Sequence, residues 1–486
     1  MPHAAARELA PPDVDCAIPT AVSLICRCLR LASSGLRRCH ASLRIAFYDH
    51  RMHYGATQER SFAANGHVVS SMARHWCMPV RRARTKAPSL QRKPGDRGMN
   101  PGRRQAIQNL AALTTALYQL PTVNAMGIEP TAMYAYVGCR TTRERNARGK
   151  GINVYRVDGK TGEWKHVQLV EGTDNPSFLT LDRSQKYLYA VHGDLSQITA
   201  YSLDRATGKL TFLNQQSTEG KNPAHLVVDP TDRFVIVGNY ATGSVVSLPI
   251  QADGSLGRVS DLVELPGKPG PHRTQQASSH PHDVPFDRSG RFFIVPDKGL
   301  DRVFAFRLDS VSGKITPANP PFVQAREGAG PRHVTFHPAK PLAYVMNELD
   351  STITTYRYDA ETGALTPVQI VSTIPENFTG DNTGAEIEIA RSGKFLFGSN
   401  RGHDSIVTMH VDPDNGLLKP VAWTYTQGKG PRFFTLDPVG RMVYAANENS
   451  DSVVGFRIDD ANGQLTPSGL VLQTGSPVCL VFARTQ

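Results

Sequence analysis

Four short segments follow one another within one stretch of the chain: Ala385-Glu-Ile-Glu-Ile389, Phe395-Leu-Phe-Gly-Ser-Asn400, Ser405-Ile-Val-Thr-Met-His-Val411 and Leu418-Lys-Pro-Val-Ala-Trp423. The segments are rich in alternating, β-branched and aromatic residues, and Gly, Ser, Asn or Asp separates each from the next. This pattern predicts antiparallel strands. Four strands in about 50 residues are typical of one blade of a β-propeller.

The same plan recurs along the chain. In six copies an Asp is followed by a Gly and a bulky apolar residue at fixed offsets, and a shorter variant occurs at Asp253-Gly254-Ser255-Leu256. The seven glycines are Gly162, Gly208, Gly254, Gly313, Gly363, Gly416 and Gly463, with spacings of 46, 46, 59, 50, 53 and 47 residues. A repeat of this length indicates a propeller or a solenoid.

The two ends of the repeat predict how the ring closes. The first strand of a blade is expected to begin at Pro176, Pro223, Pro281, Pro331, Gly384 and Pro431. A seventh copy, Pro477-Val-Cys-Leu-Val-Phe482, stands alone at the end, while the first repeat, from about Met133, lacks its first strand. We therefore predict an all-β, seven-bladed β-propeller over residues 133–486. Each blade has four antiparallel strands, and the C-terminal strand joins the first blade and removes the last open edge.

The charge of the chain is concentrated outside the repeats. The formal net charge is +11, but residues 1–125 contain 18 Lys and Arg against 6 Asp and Glu. The remaining residues are nearly neutral, with 36 basic against 37 acidic side chains. A nucleic-acid partner is therefore not expected for the propeller.

The first 132 residues lack the repeat, and we divide them into two segments. Residues 1–98 contain five of the seven cysteines without the paired spacing of a zinc site, and we expect an unstructured or mis-assigned leader. Residues 99–132 are a signal-like segment or a linker, in which Arg103-Arg104 precedes an apolar run. A start at Met99 predicts twin-arginine-like export to the periplasm, and a start at Met126 or Met133 predicts a cytoplasmic protein. No stretch is apolar enough to span a membrane, so we expect a soluble protein.

Polar residues recur at the start of the predicted first strands. The two positions after each opening residue are Ser177/Phe178, Ala224/His225, His282/Asp283, Arg332/His333, Ala385/Glu386, Arg432/Phe433 and Val478/Cys479. First strands line the central channel of a propeller, so these residues are expected to meet at one mouth. The ring brings together three His, one Asp, one Glu and two Arg, which predicts a site there.

A second ring is expected at the same mouth, because the end of the second strand lies beside the start of the first. The second strands end at Cys139, His192, Asn239, Asp297, Asn347, Asn400 and Asn447. Tyr240, Lys298, Glu348, Arg401 and Glu448 come directly after five of these residues. The asparagines have two interpretations: they satisfy loop backbone groups, or they contact a substrate.

Metal ligation by the histidines is not expected. His333 and His337 are four residues apart, which places them about 13 Å apart on an extended strand. The nucleotide-loop, nucleophile-elbow and zinc-protease motifs are also missing from the sequence. We therefore predict no cofactor and no metal.

Several segments resemble one family. Gly330-Pro-Arg-His-Val-Thr-Phe-His-Pro338, Gly384-Ala-Glu-Ile387, Ser399-Asn-Arg-Gly-His-Asp-Ser-Ile406 and Gly430-Pro-Arg-Phe-Phe-Thr-Leu-Asp-Pro438 are similar to motifs of the seven-bladed lactonase family. That family includes propeller-type 6-phosphogluconolactonases and fungal carboxy-muconate lactonising enzymes. The resemblance implies a metal-independent catalytic set of His, Glu and Arg, which by motif position falls on His282, Arg332, Glu386 and Arg432. The chain departs from the pattern at Pro285, which removes a ladder hydrogen bond from a channel-lining strand.

The resemblance implies hydrolysis of a sugar lactone like that of 6-phosphogluconolactonase. His282 or Glu386 would be the base, and Arg332 and Arg432 would stabilise the oxyanion or bind a substrate phosphate. We expect the substrate also to contact side chains at the mouth, namely His225, His333, Asn347, Asn400, Arg401 and Asn447. Two alternatives remain open: a muconate-type lactonising cycloisomerase, and a non-catalytic propeller scaffold. We expect a monomer whose partner is a small sugar lactone.

Two further expectations concern the mouth and the closing strand. The Pro- and Gly-rich loop 266–279 runs into His282, so we expect it to flank the mouth and bring His272 or Arg273 to the substrate. If the C-terminal strand pairs in the register assumed for the other blades, Cys479 faces Cys139 across the strands. Facing residues in antiparallel strands lie close enough for a disulfide, which we expect only in an exported protein.

Overall fold

The computed structural model describes residues 132–485. The leader, the signal-like segment and the candidate start residues before Met133 lie outside the described part. Within it, seven sheets contain 27 strands, and the two short helical elements are 3₁₀ turns at Arg143–Arg145 and Glu448–Ser450.

The strands fall into seven blades in chain order. Blade one contains β1 (Met133–Cys139), β2 (Ile152–Val157) and β3 (Trp164–Val170); blade two contains β4 (Pro176–Leu181), β5 (Tyr187–His192), β6 (Gln197–Leu203) and β7 (Leu210–Ser217); blade three contains β8 (Pro223–Val228), β9 (Phe234–Asn239), β10 (Ser244–Pro249) and β11 (Asp261–Glu264). Blade four contains β12 (Phe293–Asp297), β13 (Arg302–Leu308) and β14 (Ile315–Gln324); blade five contains β15 (Pro331–Phe336), β16 (Leu342–Asn347), β17 (Thr352–Tyr358) and β18 (Leu365–Ser372). Blade six contains β19 (Thr383–Ile389), β20 (Phe395–Arg401), β21 (Ser405–Val411) and β22 (Leu418–Tyr425); blade seven contains β23 (Pro431–Leu436), β24 (Met442–Asn447), β25 (Ser452–Ile458) and β26 (Leu465–Gln473). The last strand, β27 (Pro477–Arg484), belongs to blade one.

The C-terminal strand closes the ring, as the sequence predicts. β27 pairs antiparallel with β1, from Met133 opposite Arg484 to Gly138 opposite Cys479. The strand order of blade one is therefore β27-β1-β2-β3, with β27 as its inner strand. Just beyond the pairing, the Thr485 hydroxyl donates to the carbonyl of Ala132 at 2.8 Å. The prediction of a seven-bladed all-β propeller is confirmed.

The core lies between the blades, and a repeated contact joins several blades to the next. The Tyr136 hydroxyl on β1 donates to the carbonyl of Gly208 in blade two at 2.9 Å, and the Tyr344 hydroxyl on β16 donates to Gly416 in blade six at 2.9 Å. Gly208 has a φ of +74°, and a Cβ there would lie 2.2 Å from the Tyr134 ring. The repeated glycine is therefore required by both the turn and the neighbouring blade.

A β-bulge occurs where the inner strand begins. In blade five, Pro331 pairs with Asn347 and His333 with Met346, so Arg332 is an extra residue. The same shift occurs in blades two, three, six and seven, and between β27 and β1. A bulge re-aims side chains near functional sites. Here it lets two consecutive residues of one strand reach the channel mouth.

Blade four departs from the prediction of four regular strands. Its sheet has three strands, and the expected first strand makes only two isolated bridges, Pro281 to Asp297 and Phe286 to Phe293. Pro281, Pro285 and Pro296 have no N–H group, which interrupts the ladder on both sides. The segment nevertheless keeps its place, because the His282 N–H donates to the carbonyl of Pro296 at 3.0 Å.

The predicted facing of the two cysteines is wrong by one residue. Cys479 pairs with Gly138, and Cys139 pairs with Pro477, because the bulge inserts Val478 between the two pairs. Both cysteines are buried free thiols. Cys479 Sγ instead accepts a hydrogen bond from the N–H of Leu179 in the next blade at 3.3 Å.

Among residues 132–485, no helix is long and apolar enough to cross a membrane.

The closing strand generates a testable prediction. Deleting residues 477–486 leaves the inner edge of β1 unpaired, so we expect a loss of stability comparable to the whole folding free energy, about 5–15 kcal/mol. Chemical denaturation measures the loss, and deletion of residues 485–486 alone is the control. A synthetic peptide of residues 477–486 added in trans should restore the folded signal. Unchanged stability of the truncated chain would contradict closure by β27.

Candidate functional site

A cavity of about 260 Å³ lies at the channel mouth where the inner strands begin. Its volume is near the lower end of the range of small-molecule pockets, about 300–1,000 Å³, which suits a ligand the size of one sugar. All seven blades contribute to its wall, which consists of Arg140, Arg145, Ser177, Phe178, Asn222, Ala224, Tyr240, Gln275, His282, Lys298, Arg332, His333, Glu348, Glu386, Arg401, Arg432, Phe433 and Val478. Six of these side chains are cationic and two are carboxylates.

The bulges explain the composition of this wall. Consecutive residues line the cavity in three inner strands: Ser177 with Phe178, Arg332 with His333, and Arg432 with Phe433. In a regular strand, neighbouring side chains point to opposite faces of the sheet. The extra residue of each bulge brings both to the same mouth.

The structure places the predicted catalytic residues together. His282, Arg332, Glu386 and Arg432 all line the cavity. Two of the predicted substrate contacts, His333 and Arg401, line it as well. His225 does not: it lies behind the wall, with Nε2 3.1 Å from Asp283 Oδ1 and its ring 3.9 Å from that of Phe178.

The asparagine ring does not line the cavity. Asn347 Nδ2 donates to the hydroxyls of Thr352 and Thr354, both at 2.9 Å. The amides of Asn400 and Asn447 donate to the carbonyls of Thr373 and Thr426 at the ends of the preceding outer strands. These buried side chains satisfy backbone and hydroxyl groups within the blades, which favours the structural interpretation over substrate contact.

Glu348 organises the cationic side of the cavity. Its Oε2 lies 3.1 Å from Arg332 Nε and 3.2 Å from Arg401 Nη2, and its Oε1 lies 3.2 Å from Lys298 Nζ. Burial alone would raise the pKa of Glu348, but Arg401, Lys298 and Arg332 hold it well below its usual range. One buried carboxylate therefore holds three cations in fixed positions.

Other arginines keep unsatisfied donors. Within residues 132–485, the Arg432 side chain makes no hydrogen bond or ion pair. Arg140 Nε lies 3.0 Å from Glu448 Oε1, while its Nη1 is buried without a hydrogen-bond partner and lies 3.6 Å from Asp194 Oδ2. Burial, together with the nearby Arg432, lowers the pKa of Arg140 to about 10. Crowded cations with free N–H groups form a favourable site for an anion.

Three titratable side chains form a chain of contacts on the other side of the cavity. Glu386 Oε1 lies 2.8 Å from His333 Nδ1, and His333 Nε2 lies 3.2 Å from His282 Nδ1. Within the described part of the chain, His282 Nε2 has no hydrogen-bond partner. Burial lowers the pKa of both histidines well below the usual value, and the nearby Arg332 lowers it further. Burial raises the pKa of Glu386 to about 8, against the opposing effect of Arg332.

Glu388 lies two residues further along β19 and takes no part in that chain. Its Oε2 accepts the N–H of Leu436 in blade seven at 3.2 Å. Burial raises its pKa to about 8, although its hydrogen bond to Thr435 opposes the shift. No cluster of three or more potential metal ligands occurs within residues 132–485.

Four cavity residues escaped the sequence analysis: Arg140, Arg145, Asn222 and Gln275. Arg140 directly follows Cys139, the same position in the repeat that drew attention to Lys298 and Glu348, so the signal was present. Arg145 lies in a loop without a repeat position. In the long loop, Gln275 lines the cavity and accepts a hydrogen bond from Lys298 Nζ at 2.8 Å. The residues expected there, His272 and Arg273, are exposed and do not line it.

Comparison with known proteins gives matches over the whole propeller. The family model described as "Lactonase, 7-bladed beta-propeller" matches residues 134–482. A 6-phosphogluconolactonase of Bacillus subtilis is 33% identical over 310 residues, which cover 63% of this chain and 86% of that protein. A 6-phosphogluconolactonase of Formosa agariphila is 30% identical and is covered over 84% of its length.

Solved structures give the same result. The periplasmic gluconolactonase of Pseudomonas aeruginosa matches with a TM-score of 0.68 and 30% identity, over 73% of this chain and 100% of that chain. A putative 6-phosphogluconolactonase of Bacteroides fragilis also has a TM-score of 0.68, with 29% identity, over 74% of this chain and 99% of that chain.

The half-buried Glu388 generates a prediction about stability. Because its pKa in the folded protein is raised to about 8, its contribution is fully present below about pH 4.5 and is lost as the pH rises to about 8. Glu388→Gln should therefore flatten this loss and stabilise the protein by about 1 kcal/mol or more at pH 8, since one pKa unit corresponds to about 1.4 kcal/mol. Urea denaturation at pH 5 and pH 8 measures the effect. Glu376→Gln, at an exposed position, is the control, and an equal effect of both changes would contradict the assignment.

Proposed function

We propose that this chain, which belongs to the lactonase family of seven-bladed β-propellers, hydrolyses a sugar lactone in the manner of a 6-phosphogluconolactonase. The names of its relatives in Bacillus subtilis and Formosa agariphila support the substrate class. The reaction opens the ring ester and yields the corresponding aldonate.

One observation carries the proposal. A neutral imidazole nitrogen without a protein partner, His282 Nε2, belongs to the same small cavity as arginine donors that also lack partners. Opening a lactone needs a base for the attacking water and positive charge for the oxygen anion that forms. The cavity contains both.

Of the two candidate bases, we assign the role to His282. Glu386 Oε1 already contacts His333 and accepts the N–H of Ile387 at 3.0 Å, while its Oε2 has no hydrogen-bond partner within residues 132–485 but is inaccessible to water. His282 Nε2 would take a proton from water as the water oxygen bonds to the carbonyl carbon. The bond between that carbon and the ring oxygen then breaks, the ring oxygen takes a proton, and a hydroxy acid remains as its carboxylate.

The two arginines have different surroundings, which supports different roles. Arg332 is fixed by Glu348 and by donation to the carbonyl of Ala385, so its guanidinium is positioned in advance for the oxyanion. Arg432 has no such partner and lies within electrostatic range of Arg140 and Arg145. We assign this group to an anionic substituent of the substrate, for which a phosphate monoester is the best match.

The remaining features of the proposal follow from the same residues. The guanidinium groups supply the positive charge for the transition state, so we propose a metal-independent reaction. A closed ring buries its own strand edge, and we propose a monomer. The compartment decides the substrate: a cytoplasmic protein would meet a phosphorylated lactone, whereas export from Met99 would favour an unphosphorylated one, as with the periplasmic relative of Pseudomonas aeruginosa.

The scaffold alternative is disfavoured by the unpartnered donors. A mouth used only for structure would pair its charges with one another, because an unpaired buried charge destabilises the fold. The cycloisomerase alternative needs the same arginines, which would bind carboxylates. Assaying one preparation with a sugar lactone and with a muconate-type diacid separates the two activities.

Arg332→Ala tests the reaction. We expect kcat/KM for lactone opening to fall at least 10²-fold, the usual effect of removing one group that stabilises the oxyanion. The measurement is proton release from a 6-phosphogluconolactone, and the control is Arg457→Ala on the exposed face of β25. A folded Arg332→Ala protein with normal activity would exclude this site, and an inactive wild-type protein would exclude the function.

Arg432→Met tests the anion subsite separately. We expect KM for a phosphorylated lactone to rise at least 10-fold, and KM for the corresponding unphosphorylated lactone to change little, because only the former presents a dianion to Arg432. Arg457→Met controls for the change of net charge. Equal effects on both substrates would assign Arg432 to the reacting carbonyl instead.

A further inference from the structure

Glu386, His333 and His282 are joined in a line that ends in the cavity. The two contacts are 2.8 Å and 3.2 Å long, and both link a ring nitrogen of His333 to its neighbour. His333 is only 3% exposed, so water does not compete for these nitrogens. The protonation of one end of the line therefore determines the protonation of the other.

The tautomers follow from the ionised state of Glu386. A carboxylate only accepts hydrogen bonds, so His333 must carry its proton on Nδ1 and accept on Nε2. His282 must then carry its proton on Nδ1, which leaves Nε2 as a lone pair in the cavity. When Glu386 is protonated and donates to His333, each proton moves to the opposite nitrogen. His282 then presents an N–H group to the cavity and has no basic nitrogen there.

The cations around the cavity oppose a proton that stays on either ring. His282 is affected by Arg332, Arg432 and Lys298, and Arg332 and Arg432 also act on His333. Like charges nearby and burial both disfavour an imidazolium ion. Glu386 becomes neutral when it gains a proton, and its side chain is 6% exposed. It is the member of the line on which an extra proton is least costly.

We propose that His333 relays the proton between His282 and Glu386 during lactone hydrolysis, which makes His333 and Glu386 positioning residues that act through His282. The inference rests on the proposed function. As His282 Nε2 takes the proton of the water, His282 Nδ1 releases its proton to His333 Nε2, and His333 Nδ1 releases its proton to Glu386 Oε1. The same three transfers run in reverse when the ring oxygen leaves and takes a proton from His282. Glu386 thus stores one proton between the two steps and returns it.

The neutral variant Glu386→Gln provides a sharp test, because it keeps the shape but cannot take up the relayed proton. The Ile387 N–H donates to the position of Glu386 Oε1 at 3.0 Å, so the amide oxygen of Gln takes that position and accepts from His333 Nδ1. We expect kcat to fall at least 10²-fold with little change in KM, as for loss of a general base. His333→Gln should lower kcat to a similar extent, and the double variant should lose no more than either single variant, since members of one relay act as a unit.

Glu388→Gln is the matched control, because it neutralises the other carboxylate of the same strand whose pKa is raised, outside the relay. We expect its kcat to stay within about twofold of the wild type. The pH profile adds a second readout: kcat/KM of the wild type should rise up to about pH 8, where Glu386 becomes ionised, and reach a plateau. That rise should be absent in His333→Gln. A variant that raises KM while keeping kcat and the pH profile would show that His333 only forms the wall, which overturns the relay.

Nitrogen-15 NMR of labelled histidine separates failure of the relay from failure of the proposed function, because it needs no substrate. The wild type should show His282 protonated on Nδ1 at pH 9 and on Nε2 at pH 6, on either side of the Glu386 pKa of about 8, whereas Glu386→Gln should show Nδ1 at both pH values. One tautomer in the wild type at both pH values would overturn the relay even if lactone is hydrolysed. A pH-dependent tautomer in a wild-type protein without lactonase activity would sustain the relay and exclude the proposed function.

Discussion

The packing of each blade against the next fixes the positions of the inner strands, and the cavity at the channel mouth depends on those positions. A buried tyrosine on the second strand reaches the repeated hairpin of the following blade and bonds to the carbonyl of its glycine, as Tyr136 does with Gly208 and Tyr344 with Gly416. Ser247 and Thr408 make the same contact in blades three and six, with Gly313 and Gly463. Because each blade buries its faces only between two others, the inner strands are fixed relative to one another around the ring. A small cavity can therefore be built from seven strands that are far apart in sequence.

Burial at the mouth makes the protonation of the cavity carboxylates depend on the charges beside each of them. Glu348 remains an anion because three cations surround it, whereas Glu386, 2.8 Å from His333, holds its proton up to about pH 8. Two carboxylates in one cavity thus have opposite preferences, set by the number of cations that touch each one. The arginines divide in the same way: Arg332 is immobilised by Glu348, and Arg432 keeps its donors free.

The sequence predicted the number of blades, the closing strand and the residues at the mouth, because all three depend on a period that many residues repeat. His282, Arg332, Glu386 and Arg432 could be located by their repeat position alone. Features that break the period could not be located in this way. The three prolines of blade four interrupt a strand that the repeat predicts, and the inserted Val478 moves Cys479 away from Cys139. The asparagines were ambiguous, because a repeat position specifies the location of a side chain and not its hydrogen-bond partners. Arg145 and Gln275 lie in loops, where no period applies.

The closing strand gives the ring an unequal resistance to heat and to force. Met133 lies opposite Arg484, so the start of β1 and the end of β27 are at the same end of their pairing. Tension applied between residues 132 and 485 would act on one hydrogen-bonded pair at a time and peel β27 away like a zipper, rather than shear all pairs together. Thermal unfolding must instead disrupt the blade interfaces cooperatively. A pull on the end of β27 therefore meets only a few hydrogen bonds at any moment, whereas heat must overcome all the blade interfaces together.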